Sequence, residues 1–292
     1  MRAILAILLA SVLVSGLTLS SYASGPGTTA ANFLKIGIGA RATAMGEAFT
    51  ALADDGTSIY WNPAGLVQVK KRELLAMYNI YFEEIKQGYL SLASPLLQGT
   101  IGLGFNYLHM GDIEGTDAQG NLTGYFSASD FQASLAYARS LSPHLSFGIS
   151  AGILQDAIKE DKKTAFLANV GLLLKTSRLF SFGLVFQNIG SKLGEGPLPF
   201  TFRGGVAVML EPLNVEVDIV KPSDNETHYC VGVEWQIKEV LALRSGYKAR
   251  QDIGPGMSIG IGLSIKQIQF NYAYVSRGDL GHLQKVSSAI RF

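Results

Sequence analysis

The chain has 292 residues, a formal net charge of +1 and only 16% charged residues, so no basic or acidic field points to nucleic acid or to a polyanionic partner. Hydrophobic residues make up 48%, glycine is abundant at 33, and the mean hydropathy of +0.23 is high for a water-soluble protein. Beyond residue 23 no apolar run is long enough for a membrane-spanning helix, and this combination points to strands.

Residues 1–23 read as a secretory signal. Arg2 is the positive end, Ala3 to Leu19 the apolar core, and Ser21-Tyr22-Ala23 a cleavage site with small residues where a signal peptidase inspects them. A retained membrane anchor is the alternative. The single cysteine, Cys230, can form no internal disulfide and reads as a core filler.

Residues 24–70 do not alternate. In "GARATAMGEAFTALADD", Ala44, Ala48, Ala51 and Leu52 can line one side of a helix that Asp54, Asp55 and Gly56 stop. A rigid bend follows at "IYWNPAGL": Pro63 fixes its own φ and pushes Asn62 out of the helical region, and the Asn62 side chain can hold the turn through nearby backbone. Tyr60 and Trp61 are amphipathic rings suited to a boundary between water and apolar matter.

From Glu73 to Phe292 the period is two. In "GMSIGIGLSIK", Met257, Ile259, Ile261, Leu263 and Ile265 share one face, and Ser258, Gly260, Gly262, Ser264 and Lys266 the other. About fourteen such segments follow one another, starting near Glu73, Lys86, Gly99, Ser129, His144, Thr164, Leu179, Pro199, Pro212, Asn225, Val240, Gly256, Ile268 and Gly281. Most run about 10 to 12 residues, near the ~9–11 that a tilted strand needs to cross a bilayer. With the N-terminus in the periplasm, the even connections are short and the odd ones mostly longer and more polar, which is the asymmetry of an outer-membrane barrel. The longest loop is expected between His109 and Asp130; the odd connection near Glu83 and Glu84 is the exception in being short. The chain closes on "VSSAIRF", where Phe292, Ile290 and Val286 share a face. A terminal aromatic on a membrane-facing strand resembles the signal read by the bacterial barrel-assembly machinery.

The stretch "FLKIGIGARATAMGEAFTALADDGTSIYWNPAGL" resembles the N-terminal signature of the PorV/PorQ family of bacterial outer-membrane proteins, which are similar to the wider FadL-like group of long-chain fatty-acid channels. Phe33, Leu34, Ala40, Arg41, Met45, Gly46, Ala48, Asp54, Asp55, Trp61, Asn62, Pro63, Ala64 and Gly65 carry the resemblance. It implies an all-β transmembrane barrel of about 14 antiparallel strands over residues 71–292, with residues 24–70 folded into the lumen as a partly helical hatch. Asn62–Pro63–Ala64 is then the bend where the hatch meets the first strand. The chain departs from the family in its loops, which are less elaborate.

Strand parity places Arg203, Glu216, Asp218, Glu234, Arg244, Lys248, Lys285 and Arg291 opposite the apolar belt, since charges are expensive in lipid. They either pair across the lumen and hold the hatch or line a solute path. Gly102, Gly104, Asn106 and Leu108 give the first half a more neutral inner face. No catalytic constellation stands out: His109, His144, His228 and His282 are scattered, and no Cys or His spacing suits a metal. The expectation is a protein that is not an enzyme, with no cofactor, in outer-membrane lipid. Three functions stay open: a hatch-gated conduit for small hydrophobic molecules, a shuttle or scaffold for exported proteins of the type IX secretion kind, and a porin for polar solutes.

Overall fold

The computed structural model describes residues 25–81, 85–249 and 254–292; the expected signal sequence and the connection at Glu83 and Glu84 lie outside the described residues. Fourteen antiparallel strands form one closed barrel. They are β1 (Glu73–Ile80), β2 (Lys86–Leu96), β3 (Gly99–Thr116), β4 (Leu122–Ser140), β5 (Leu145–Ile158), β6 (Asp161–Lys175) and β7 (Phe180–Gly190), followed by β8 (Thr201–Leu210), β9 (Leu213–Pro222), β10 (His228–Ile237), β11 (Leu241–Lys248), β12 (Met257–Ile265), β13 (Ile268–Ser276) and β14 (His282–Arg291). Each pairs with its neighbours in sequence, and β1 closes on β14 from Glu73↔Arg291 to Ile80↔Gln284. Closure leaves no strand edge unpaired, which a sheet in lipid requires.

The period-two pattern produces the two faces. Leu103, Phe105, Ile259, Ile261 and Val286 stand exposed on the outer wall as large apolar side chains. Tyr107, Tyr229 and Tyr247 lie toward one rim and Trp235, Phe270 and Phe292 toward the other, an arrangement that suits the two interfaces of a bilayer. Many inward positions are small or polar, as in β3, where Gly102, Gly104 and Asn106 alternate with exposed Leu103 and Phe105, and larger ones such as Leu75, Met77, Leu108 and Val185 are also buried on the inner face.

The rims differ. At the turn rim, Leu97 and Gln98 suffice between β2 and β3. At the loop rim, residues 191–200 and 223–227 make longer connections. The long loop expected between His109 and Asp130 is instead a projecting two-stranded ribbon. β3 and β4 stay paired out to Thr116↔Leu122 across a bulge between His109 and Asp112, and only residues 117–121 turn. Polar residues such as Asp112 and Glu114 hide the strand from a reading based on hydrophobicity, because a ribbon outside the bilayer has no apolar face to keep.

Residues 29–69 run through the barrel interior. Ala44, Met45, Phe49, Trp61, Asn62 and Leu66 are fully buried there. The segment is helical only at Ala40–Ala44 and Ser58–Trp61, with 3-10 turns at Asn32–Lys35 and Pro63–Gln68. The single helix expected to run on through Leu52 is corrected. Gly46 and Glu47 both take φ 65° and end it, and the next amides bond to the wall rather than to the preceding turn.

Candidate functional site

On the side of β8–β12 the inserted segment is held by carboxylates that receive its backbone. Asp218 accepts from the amides of Phe49 and Thr50 (both 3.2 Å) and from the Thr50 hydroxyl (2.5 Å). Glu216 accepts from the amides of Ala51 (2.5 Å) and Leu52 (3.1 Å). The bonds to Asp218, which is paired with Arg203, are charge-assisted, and together with those to Glu216 they replace the bonds a helix would have made. Arg203 pairs with Asp218 at 3.1 Å and lies over the Trp61 ring at 4.9 Å.

Arg41 and Glu234 form a second anchor. The Arg41 guanidinium donates to both oxygens of Glu234 (2.8 and 2.9 Å) and to Asp54 (2.5 Å), while Arg244 donates to Glu234 at 2.7 Å. Burial works against the Arg41 charge, but Asp54 and Glu234 outweigh it and hold the guanidinium protonated. Asp55 stays within the segment and accepts from Thr57. Lys248 pairs with Glu47 at 2.5 Å. Burial pushes the Glu47 carboxyl up, yet Lys248, Arg203 and Lys285 together pull it down to about 2.

On the side of β2–β7 the contacts are mainly of shape, joined by neutral hydrogen bonds such as those from Gln187 to Tyr60 O (2.7 Å) and from Ser181 to Ala51 O (2.9 Å). Ile59, Leu66 and Val69 pack on Ala93, Ala136 and Ala138. The Asn62–Pro63–Ala64 bend is seated deep against β5 and β6, not at the first strand as the sequence suggested. A Cβ on Gly171 would lie 2.0 Å from Asn62 Oδ1, and one on Gly148 would lie 2.2 Å from the Ala64 amide. Glycine is therefore what lets the bend touch the wall. The Asn62 amide donates to Thr50 O (2.8 Å) and to Leu172 O (3.1 Å), while its oxygen accepts from Ala64 (3.1 Å). Opposite, Gly46 lies against Tyr247 and Gly246, another approach that no side chain could share. Trp61 is not at a water boundary: its ring is buried, its indole N–H donates to Ile38 O at 2.8 Å, and Tyr60 packs edge-on at 4.8 Å.

Two features occupy the loop rim. The first is apolar. Inward-facing Leu108, Leu154 and Leu167 form a seat filled by Phe33 and Leu34 and covered by Leu193 and Leu198 of residues 191–200. The second is a polar cavity of about 280 Å³ between the segment and β8–β14.

The structure thus gathers the sequence-derived site residues around the inserted segment. Met45 packs with Phe49 and Trp61, Gly46 meets β11, and Arg203, Glu216, Asp218, Glu234, Arg244 and Lys248 all reach the segment or its partners. Phe292 stands apart on the outer wall, its amide bonded to Arg72 O. Glu47 and Glu73 escaped the sequence reading. Glu73 accepts from the Gly56 amide (2.6 Å) and from Arg291 (2.6 Å). Both faces of β1 carry apolar residues, so parity gave no inward sign for Glu73, and Glu47 lies in a segment with no periodicity at all.

No family model and no curated protein matches the chain. Its structure is similar to that of the CymD monoaromatic hydrocarbon channel (TM-score 0.69, 13% identity, 88% of this chain and 98% of that one). The toluene transporter TodX of Pseudomonas putida gives a TM-score of 0.68 at 14% identity, covering 87% and 97% of the two chains. A FadL homologue of Pseudomonas aeruginosa gives 0.57 at 9% identity, covering 87% and 98%. The likeness is one of fold: the chain is a closed 14-strand β-barrel with the architecture of FadL-like outer-membrane channels.

Proposed function

We propose that the protein is a passive conduit for small hydrophobic molecules, closed at rest by residues 29–69. The observation that carries this reading is the apolar seat at the loop rim, where Leu108, Leu154 and Leu167 gather on one part of the inner wall and the chain's own Phe33 and Leu34 fill the place. A hydrophobic solute that displaces those two side chains buries comparable surface, so exchange is nearly balanced and the inserted segment acts as the gate. The fold neighbours described as monoaromatic hydrocarbon and toluene channels support the substrate class. The test is uptake of a fluorescent hydrophobic probe by proteoliposomes carrying wild type or a chain lacking residues 30–58. Wild type should pass the hydrophobic probe and exclude a polar dye of equal size, and the deletion should pass both. A wild type that passes neither would end the conduit reading.

A second reading belongs to the PorV/PorQ resemblance: a shuttle or scaffold for exported proteins. The projecting β3–β4 ribbon favours it, with Leu122 and Tyr125 exposed beyond the bilayer where a protein partner could pack. A closed wild type together with cargo retained by the ribbon would support it. In either reading Phe292 serves insertion by the barrel-assembly machinery, and its removal should lower folded protein in the outer membrane.

A further inference from the structure

On the inner face of β1–β3 three side-chain amides form a ladder. Asn79 donates to Gln87 (3.1 Å), and Gln87 donates to Asn106 (3.1 Å). The ladder takes up the Asn106 oxygen and leaves its Nδ2 over, buried without an acceptor among the described residues on a side chain only 2% exposed. The next strand offers the complement. Gln132 of β4 stands opposite Asn106 and gives its own Nε2 to the Ser134 hydroxyl (3.0 Å), so its carbonyl oxygen receives no donor among the described residues.

These two amides line one chamber of about 10 Å³, which Ser134 of the wall and Ile38, Ile59 and Tyr60 of the inserted segment help to close. That is room for about one water-sized oxygen. Buried amide groups are almost always bonded, so an unused N–H and an unused carbonyl on one such space point to an occupant that both accepts and donates. The chamber adjoins the apolar seat. Asn106, Gln132 and Leu154 stand on one row across β3, β4 and β5, and Leu108 is the next inward residue of β3 after Asn106. Neighbours on a row lie about 4.5–5.5 Å apart at Cβ, so a molecule lying against Leu154 and Leu108 brings a substituent to the chamber.

We propose that the site selects small apolar molecules that carry one hydroxyl, a phenol or a short alcohol. The apolar body replaces Phe33 and Leu34 in the seat, and the hydroxyl occupies the chamber, accepting from Asn106 Nδ2 and donating to the Gln132 carbonyl. The proposal rests on the conduit reading and names its solute class. A hydrocarbon fills the seat and leaves both amides unmet. An ammonium or a carboxylate meets only one of them, and burying its charge there is costly.

The experiment is a fluorine-NMR titration of the full purified chain in non-ionic detergent with 4-fluorophenol and, separately, 4-fluorotoluene, which carries a methyl group in place of the hydroxyl. Each affinity is taken relative to the probe's own partition into protein-free micelles. Both probes should saturate one site per chain, the phenol more tightly by about five- to tenfold. Asn106→Leu should remove that preference and leave the affinity for 4-fluorotoluene unchanged. Gln132→Leu should reduce the preference while leaving the Asn79–Gln87–Asn106 ladder in place. The wild-type comparison needs no variant, so it decides even if Asn106→Leu fails to fold. Equal affinities in the wild type would overturn the proposal: water, or the two amides closing on each other, then fills the chamber, while the seat and the conduit reading stand. A preference that survives both substitutions would overturn it as well. Saturation by neither probe would remove the seat itself, and the conduit reading with it.

Discussion

The two halves of the wall hold the same inserted segment by different physics. On β8–β12 the grip is electrostatic: Glu216 and Asp218 take five donors of residues 49–52, and Glu234 takes the Arg41 guanidinium. On β2–β7 the grip is mainly steric: glycines at 148 and 171 remove side chains so that the Asn62–Pro63–Ala64 bend can lie on the wall. A charge-held contact can be loosened by protonation or by a competing ion. A shape-held contact has no such handle. A gate that opens without leaving the barrel is therefore expected to swing from the shape-held side, with the charge-held side released first.

The largest effect should come from the electrostatic side. Asp218→Asn keeps the size of the side chain but leaves Arg203 buried without its carboxylate, a loss of about 3–5 kcal/mol for a broken buried pair. Small-solute leak through proteoliposomes should rise strongly while circular dichroism keeps its sheet signal. A tight Asp218→Asn channel would show that the carboxylates are bystanders.

Acid should act on the same side through Glu47. Its carboxyl titrates at about 2 in the seated segment, against the ordinary 4.5. The folded value is depressed, so the stabilisation is complete above about pH 4.5 and is lost as pH falls from there through about 2. A shift of this size is on the order of 3 kcal/mol. Leak from wild-type proteoliposomes should rise across that window, and Glu47→Gln should be leaky already at neutral pH with the Glu47 step gone. A wild-type leak that is flat down to pH 2 would count against an electrostatic latch.

The steric side should respond to volume and not to pH. Gly171→Val drives a Cβ to within 2.0 Å of Asn62 Oδ1, and overpacking of this kind costs about 1–3 kcal/mol. Its leak should be smaller than that of Asp218→Asn and unchanged between pH 7 and pH 5. A Gly171→Val leak that follows pH would mean that the two walls are not independent.

Much of this division was legible in the chain. Period two gave the strands, their order and the inward positions of Glu216, Asp218 and Glu234, because alternation in a barrel is set by lipid on one side alone. The Asn62–Pro63 bend announced itself by residue type. What could not be read was which backbone groups the inward charges meet. Ala48, Ala51 and Leu52 look helical by propensity, and only the wall carboxylates, some 165 residues away in sequence, explain why their stretch is not. The glycine seats were legible as small residues but not as seats. A glycine facing water and a glycine facing another backbone look the same in one sequence.

The smallest effect tests the bend itself. Pro63 opens the 3-10 turn Pro63–Gln68 and is fully packed between the segment and β5–β6. It has no N–H, so replacement by glycine removes no hydrogen bond, and the Asn62 bonds to Thr50 O and Leu172 O remain available. What Pro63→Gly changes is the freedom of the displaced segment: glycine has more conformations to lose on seating, at about 0.4–1 kcal/mol. That raises the unseated population by a factor of roughly two to five. Pro63→Ala should fall between wild type and Pro63→Gly, because alanine restores part of the restriction. The leak should be measurable in single-channel recordings as more frequent brief openings of unchanged size, since the lumen that opens is the same. Should Pro63→Gly leak as much as Asp218→Asn, the bend and not the carboxylates would be the part that keeps the barrel shut, and the gate would have to swing from the opposite wall.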